Sequence, residues 1–208
     1  MDAAVQEFRA LSRLLGPRDD RCELCAAPLA ARHAHLLAGD RHVVCACPAC
    51  GLLFGAARGR YRRIPSRVVR LGPGAVRAAD WQALGIPIGL AFLYRQDSGQ
   101  AAAIYPSPAG PVEAPLEGEI WARIIGGCRP LATMEPEVEG LLAERIGPRP
   151  GVDREVVRHY LAPRDRCLVL AALLRRHWRG FSGGEAWDRV EEFFAGLDQE
   201  AVDAGFPI

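Results

Sequence analysis

The sequence predicts an α+β fold, with a small cysteine-rich module at the N-terminus and a mixed domain after it. Three observations lead to this prediction. Five of the seven cysteines lie between Cys22 and Cys50, short apolar runs bounded by turn residues fill the middle of the chain, and helical spacing of apolar residues dominates after Glu117. Half of the 208 residues are hydrophobic and a quarter are charged, a composition typical of chains that bury a core.

These patterns divide the chain into four segments. Residues 1–19 contain an amphipathic helix over Ala3–Leu15, which Gly16 and Pro17 end. Residues 20–56 form the cysteine-rich module, and 57–63 form a basic connector. Residues 64–208 form an α+β domain with a short antiparallel sheet and a helical C-terminal half.

The cysteines of the module have the spacing of a four-thiolate metal site. C-E-L-C ends at Cys25, and C-A-C-P-A-C ends at Cys50. Each C-x-x-C pair wraps around one side of a metal ion, and two pairs complete a tetrahedron. We therefore expect the ligands to be Cys22, Cys25, Cys47 and Cys50. Cys45 is an alternative ligand, because strand alternation turns it to the same side as Cys47.

A β-hairpin joins the two pairs in this prediction. His33–Leu37 and His42–Ala46 have strand composition, and the segment between them can turn. Gly51 follows the second pair, where a metal knuckle often needs a positive φ that glycine tolerates. Ala26 holds the matching place after the first pair and fits that conformation less well.

The metal is expected to be zinc, with iron as the alternative. Zinc favours closed tetrahedral sites of four thiolates, and the module is accordingly zinc-ribbon-like. Iron in the same cage would be redox active. The second pair, C-P-A-C-G, resembles a loop of rubredoxin, an iron-containing electron carrier, but Ala26, Ala27 and Pro28 depart from the rubredoxin pattern after the first pair.

Two clusters of polar residues lie close to the cysteines in the sequence. His33, His35 and His42 cluster in the hairpin, where they could supply another ligand, bind a second metal or lie on the strand surface. The connector carries Arg60, Arg62 and Arg63, with Tyr61 among them. Such a cluster suits a protein partner or, as an alternative, the phosphates of a nucleic acid, although a net charge of +1 makes nucleic acid the less favoured partner.

The larger domain has recognisable elements along its whole length. Arg67–Leu71 is a predicted strand, Pro87–Tyr94 and Ala101–Tyr105 are a predicted antiparallel pair, and Pro106–Pro115 is a predicted loop. The predicted helices are Glu117–Ile125, Pro136–Ile146, Asp153–Tyr160, Arg164–Arg179 and Gly184–Leu197.

A corner between the last two helices is a candidate docking surface. Gly180 suits the end of one helix, and Ser182 with Glu185 forms a capping box for the next. These local roles leave three side chains without a structural reason, and we expect them to contact a partner: His177, Trp178 and Arg179.

Several functions are excluded or disfavoured. The chain contains no lysine and no asparagine, so a phosphate-binding loop lysine, a Schiff-base lysine and an N-glycosylation site are impossible. No catalytic set stands out, and a non-enzymatic protein is expected. The apolar runs are too short to span a bilayer, and an N-terminus without a signal core together with paired cysteines favours a reduced, cytoplasmic protein.

Four motifs carry a resemblance that spans nearly the whole chain. They are Cys22–Cys25, Cys45–Phe54, Y-P-S-P-A-G at Tyr105–Gly110, and H-W-R-G-F-S-G-G at His177–Gly184. With them, the chain resembles a family of actinobacterial type whose genes stand beside nickel–iron hydrogenase genes. The resemblance implies an accessory role in hydrogenase assembly or electron transfer, through contact with a hydrogenase subunit or a maturation factor.

Overall fold

The computed structural model describes residues 21–55, 59–107, 110–147, 153–177 and 184–204. Within them the chain forms a small sheet of three strands and a large sheet of seven strands, with α-helices packed on both. The α+β prediction is confirmed. The predicted N-terminal helix over Ala3–Leu15 lies outside the described residues.

The small sheet carries the cysteine-rich segment. Strands β1 (Ala34–Ala38) and β2 (Val43–Ala46) form the expected hairpin, and helix α1 (Pro48–Phe54) follows it. Strand β3 (Tyr61–Arg63) then pairs with β1 on its other edge. Residues that were expected to be part of a connector therefore complete the small sheet.

The large sheet is antiparallel except at one edge, where two short strands run parallel. Its strands lie in the order β10–β4–β9–β8–β5–β6–β7. Their bounds are β4 Val69–Leu71, β5 Leu90–Arg95, β6 Ala101–Ser107, β7 Gly110–Pro115, β8 Glu139–Ile146, β9 Val156–Pro163 and β10 Val202–Asp203.

Helices cover both faces of the large sheet and make three layers. The bounds are α2 Ala78–Ala83, α3 Gly118–Gly126, α4 Arg129–Ala132, α5 Arg164–His177 and α6 Gly184–Glu200. Trp81 and Ile124 pack against one face, and Leu170 and Phe194 pack against the other. In the described part of the chain, no helix is both long enough and apolar enough to cross a membrane.

Burial on both faces explains two wrong predictions. Pro136–Ile146 and Asp153–Tyr160 were expected to be helices, but strands β8 and β9 occupy most of these segments. A strand that is covered on both sides does not alternate between apolar and polar residues. The leucine, alanine and glutamate residues of β8 also favour a helix locally, and tertiary packing overrides this preference.

The predicted loop over Pro106–Pro115 is also wrong. Gly110–Pro115 forms strand β7 at the edge of the large sheet, where Pro111 lies opposite Pro106. An edge strand tolerates proline because its outward N–H groups have no neighbouring strand to bond. The helix α2 and the short helix α4 were not expected from the sequence.

The small sheet packs directly against the large domain. Leu37 of β1 and Val43 of β2 share an apolar cluster with Leu168 and Ala172 of α5. By strand alternation, the residues on either side of Leu37 point to the opposite face, towards the cysteines. The two faces of the hairpin thus have different neighbours, and this division organises the site.

Candidate metal centre

The four cysteines predicted as ligands meet beside the hairpin. The Sγ atoms of Cys22, Cys25, Cys47 and Cys50 all lie within 4.8 Å of one another. The Sγ atoms of Cys25 and Cys47 are 3.7 Å apart, far beyond the length of a disulfide bond. Four sulfur atoms at about 2.3 Å from a zinc ion would be separated by about 3.8 Å at the corners of a tetrahedron. The cluster therefore already has the size of a four-thiolate site.

The first pair is held in a tight turn by backbone hydrogen bonds. The N–H of Cys22 donates to the Ala27 carbonyl at 2.7 Å, and the N–H of Ala26 donates to the Cys22 carbonyl at 2.8 Å. Ala26 adopts a φ of 60°, a left-handed conformation that glycine would adopt more easily. A positive φ was expected at Gly51, but Gly51 is helical, and Ala26 is the residue that adopts one.

The second pair opens helix α1. Cys47 is the N-cap, and its Sγ accepts a hydrogen bond from the N–H of Cys50 at 3.4 Å. Pro48 takes the first helical position, where its missing N–H costs nothing. Gly51 is helical, and a Cβ there would lie 2.6 Å from the Cβ of Ala34. Glycine is needed at this position because α1 lies close to β1.

The centre is largely shielded from water. Cys22, Cys47 and Cys50 are buried with Leu36 of β1, whereas Cys25 is exposed at the surface. A closed surrounding of this kind is typical of structural sites, since it leaves no ligand position for a substrate.

Burial and hydrogen bonds shift the pKa values of two of these thiols in opposite directions. Burial raises the pKa of Cys22, but hydrogen bonds from the N–H groups of Cys47, Leu24 and Cys25 outweigh it and lower that pKa to about 6. Burial and the neighbouring thiols raise the pKa of Cys50 to about 12. A bound cation would allow all four thiols to be thiolates.

Cys45 belongs to a second group of side chains. Its Sγ and one ring nitrogen each of His33 and His35 lie within 4.8 Å of one another, apart from the four-cysteine group. Cys45 and His35 are direct partners across the hairpin. Strand β2 ends at Ala46, so its alternation does not carry on to Cys47. Cys45 and Cys47 therefore join different groups.

Asp165 at the start of α5 completes this second group. His35 Nδ1 lies 2.5 Å from Asp165 Oδ2, which joins the hairpin to the large domain. Burial lowers the pKa of His35, but the hydrogen bonds and charges of Asp165 and Cys45 outweigh it and raise that pKa to about 9. Asp165 is far from the hairpin in the sequence, and no spacing rule could have identified it.

The predicted arginine cluster is divided by the fold. Arg62 forms an ion pair with Asp97 at 2.8 Å and donates to the Pro136 carbonyl at 3.0 Å, so it links the small sheet to the large domain. Arg60 is exposed, with its guanidinium 5.7 Å from the centre of the Tyr61 ring. Arg63 is exposed as well. Arg60 and Arg63 therefore lie at the surface.

The other predicted docking residues lie at the limit of the described chain. His177 is the last residue of α5, but its side chain is outside the description, as are Trp178 and Arg179. The structure also shows an exposed apolar group that was not expected from the sequence. Leu52, Leu53 and Phe54 are exposed at the end of α1, and only Gly51 separates them from the second cysteine pair.

Comparison with known proteins identifies the family. A family model described as a family of unknown function (DUF5947) matches residues 21–201, which include all of the clustered cysteines. Because this match covers most of the chain, the protein belongs to the DUF5947 family. Neither the comparison with curated proteins nor the comparison with solved structures found a match.

Proposed function

We propose that this member of the DUF5947 family is a non-enzymatic, zinc-binding accessory protein of the cytoplasm that supports nickel–iron hydrogenase assembly or function through protein–protein contacts. The observation that carries the proposal is the convergence of four Sγ atoms within 4.8 Å, on two C-x-x-C turns. The link to hydrogenase comes from the resemblance of four motifs along the chain.

A structural zinc ion accounts for the architecture of the small sheet. The sheet has three strands of five residues or fewer and a short helix, so its own apolar core is small. Closing four thiolates on zinc would supply folding free energy that this core lacks. Zinc needs no further group from the protein, and a closed four-thiolate cage is its preferred structural site.

The apolar end of α1 gives this rigid centre a surface for contact. Leu52 and Leu53 are 72% and 74% exposed, and Phe54 is 47% exposed. Adjacent apolar side chains held in water are typical of interaction sites. Because α1 begins at two of the cysteines, a metal at the centre would hold this surface in one orientation. We propose that a hydrogenase subunit or maturation factor covers it.

The first experiment measures metal content in protein purified without added metal. We expect zinc in the wild type, no colour, and a loss of one zinc per chain in Cys50→Ala. The matched control is Cys128→Ala, which removes a buried thiol from the core of the large domain and should retain the metal. A Cys50→Ala protein with its full metal content and a normal fold would refute the proposal.

The same measurement separates zinc from iron. One iron per chain, with a visible thiolate-to-iron absorption band that bleaches on reduction, would indicate a rubredoxin-like electron-transfer protein. The exposed Cys25 would then be the edge of the centre nearest to a redox partner. In that case the accessory role would be replaced by an electron-transfer role.

The second experiment tests the contact surface. The protein is co-expressed with nickel–iron hydrogenase subunits and maturation factors, and co-purification is quantified. We expect Leu53→Glu to abolish this co-purification. The control Val202→Glu places the same charge on an exposed apolar position of the large domain, and should leave co-purification unchanged. Equal co-purification of both variants would exclude α1 as the contact.

A further inference from the structure

We propose that His33, His35 and Cys45 form a second metal site, for a divalent cation of the zinc class, on the hairpin face that packs against the large domain. One ligand atom from each residue lies within 4.8 Å of the other two. Two imidazoles and a thiolate are donors that zinc and similar first-row ions prefer. This site is separate from the four-cysteine centre and does not depend on the proposed function.

Strand geometry brings the three residues together. His35 and Cys45 are opposite each other in the β1–β2 register, so their side chains lie side by side on one face. The rings of His33 and His35 have centroids 4.8 Å apart and are nearly perpendicular. The apolar neighbours on that face, Leu37 and Val43, pack against the large domain. The Leu36 face carries the four cysteines instead.

Hydrogen bonds orient both imidazoles as in known metal sites. His33 Nδ1 lies 3.0 Å from the Ala30 carbonyl, which can only accept, so Nδ1 carries the proton and Nε2 keeps its lone pair. His35 Nδ1 donates to the carboxylate of Asp165, which leaves Nε2 as the ring nitrogen that can face a metal ion. Both Nε2 atoms are shielded from water. A metal-binding histidine characteristically donates its other N–H to a carbonyl or a carboxylate.

The third donor distinguishes a metal site from a nucleophilic one. Cys45, His35 and Asp165 alone would also fit a thiol activated by a histidine that a carboxylate orients. Such a nucleophile has no need of a second imidazole, whereas zinc sites in proteins generally use at least three protein ligands. His33 supplies the third donor, and its ring is already oriented by Ala30. The arrangement therefore favours metal binding.

Three protein ligands leave the fourth position of a tetrahedral ion open. Open sites exchange ligands and ions more readily than closed ones. We therefore expect the second ion to be lost first to a chelator, while the four-cysteine centre keeps its ion. The second ion would also join the hairpin to α5 through His35 and Asp165.

The test counts zinc ions in the full-length protein. Metal-stripped protein is titrated with Zn²⁺, and binding is followed by calorimetry and elemental analysis. We expect two ions per chain in the wild type and one in His33→Gln. His42→Gln is the matched control: it removes a histidine of the same hairpin that pairs with Asp40 instead, and should still bind two. Asp165→Asn should weaken the second ion about 10–100-fold.

Alkylation of Cys45 gives an independent measurement. Zn²⁺ should protect Cys45 from iodoacetamide in the wild type and in His42→Gln, but not in His33→Gln. One zinc per wild-type chain at saturation that His33→Gln retains, or two tightly bound ions in His33→Gln, would overturn the proposal. Fast alkylation of Cys45 at a rate that zinc does not change would also overturn it, and would support the alternative in which His35 activates the Cys45 thiol as a nucleophile. Loss of the ion at the four-cysteine centre alone would refute only the proposed function.

Discussion

The packing of α1 on β1 leads to a sharp prediction at Gly51. A Cβ at this position would lie 2.6 Å from the Cβ of Ala34. Nonbonded carbon atoms are most stable at about 3.5–4.0 Å, so Gly51→Ala must push α1 away from β1 by about 1 Å. Since α1 begins at Cys47 and contains Cys50, the displacement would also disturb two of the four thiols.

Two opposing effects set the change that Gly51→Ala makes in the free energy of unfolding. Overpacking of a core costs about 1–3 kcal/mol, and a contact this short belongs at about 3 kcal/mol. Alanine is better than glycine inside a helix by about 1 kcal/mol, which offsets part of the cost. The net loss in the free energy of unfolding is about 2 kcal/mol. For a protein of this size, that corresponds to a fall of about 4–8 °C in the unfolding midpoint.

Thermal unfolding of the zinc-loaded protein measures this loss. Gly39→Ala is the control, because it lies in the turn of the same hairpin and its added Cβ has no atom within 4 Å. Gly51→Asn separates two explanations. If the position required a positive φ, Asn would cost less stability than Ala, whereas crowding against Ala34 would make Asn cost more. A Gly51→Ala protein as stable as the wild type would refute the packing argument.

Two further predictions concern the ion pairs of the large domain. Glu139 is fully buried, and both of its carboxylate oxygens accept hydrogen bonds from Arg67, so Arg67→Met should lower the free energy of unfolding in urea by about 2–4 kcal/mol. The control is Arg189→Met at the exposed ion pair with Glu192, which should change that free energy by less than about 0.5 kcal/mol. Equal losses in the two variants would contradict this prediction. Arg77 and Arg123 hold the pKa of Asp80 below its usual value, so its contribution is present above the ordinary carboxyl pKa and disappears as the pH falls through the lowered one. The stability difference between wild type and Asp80→Asn should therefore shrink in acid, and a difference that stays constant from neutral pH to acid would exclude this linkage.

Local patterns were sufficient to predict the hairpin and the four-cysteine group. Both depend on residues that are close in the chain, and the chemistry of C-x-x-C needs little from the rest of the fold. The same holds for helices α3 and α6, which show clear helical periodicity and were predicted nearly within their observed bounds. Where one face of an element is exposed to water, the spacing of its apolar residues still shows the period of that element.

The central strands could not be predicted in the same way. Strand β8 lies between β5 and β9, with helices over both faces, so nearly all of its residues are buried. Its periodicity is lost, and the remaining local preference is for a helix. Strand β3 was not predicted for a different reason. It pairs with β1, although the second cysteine pair lies between these two strands in the sequence.

The sequence by itself determined which four thiols come together, that four thiols so grouped could bind a metal ion, and that the fold is α+β. Only the tertiary structure decided which groups are neighbours. It separated Cys45 from Cys47, placed Cys45 with His33 and His35, and brought Asp165 to them from the large domain. The physical reason is that ligand spacing is a local property of the chain, whereas the partner of a buried side chain depends on how distant elements pack.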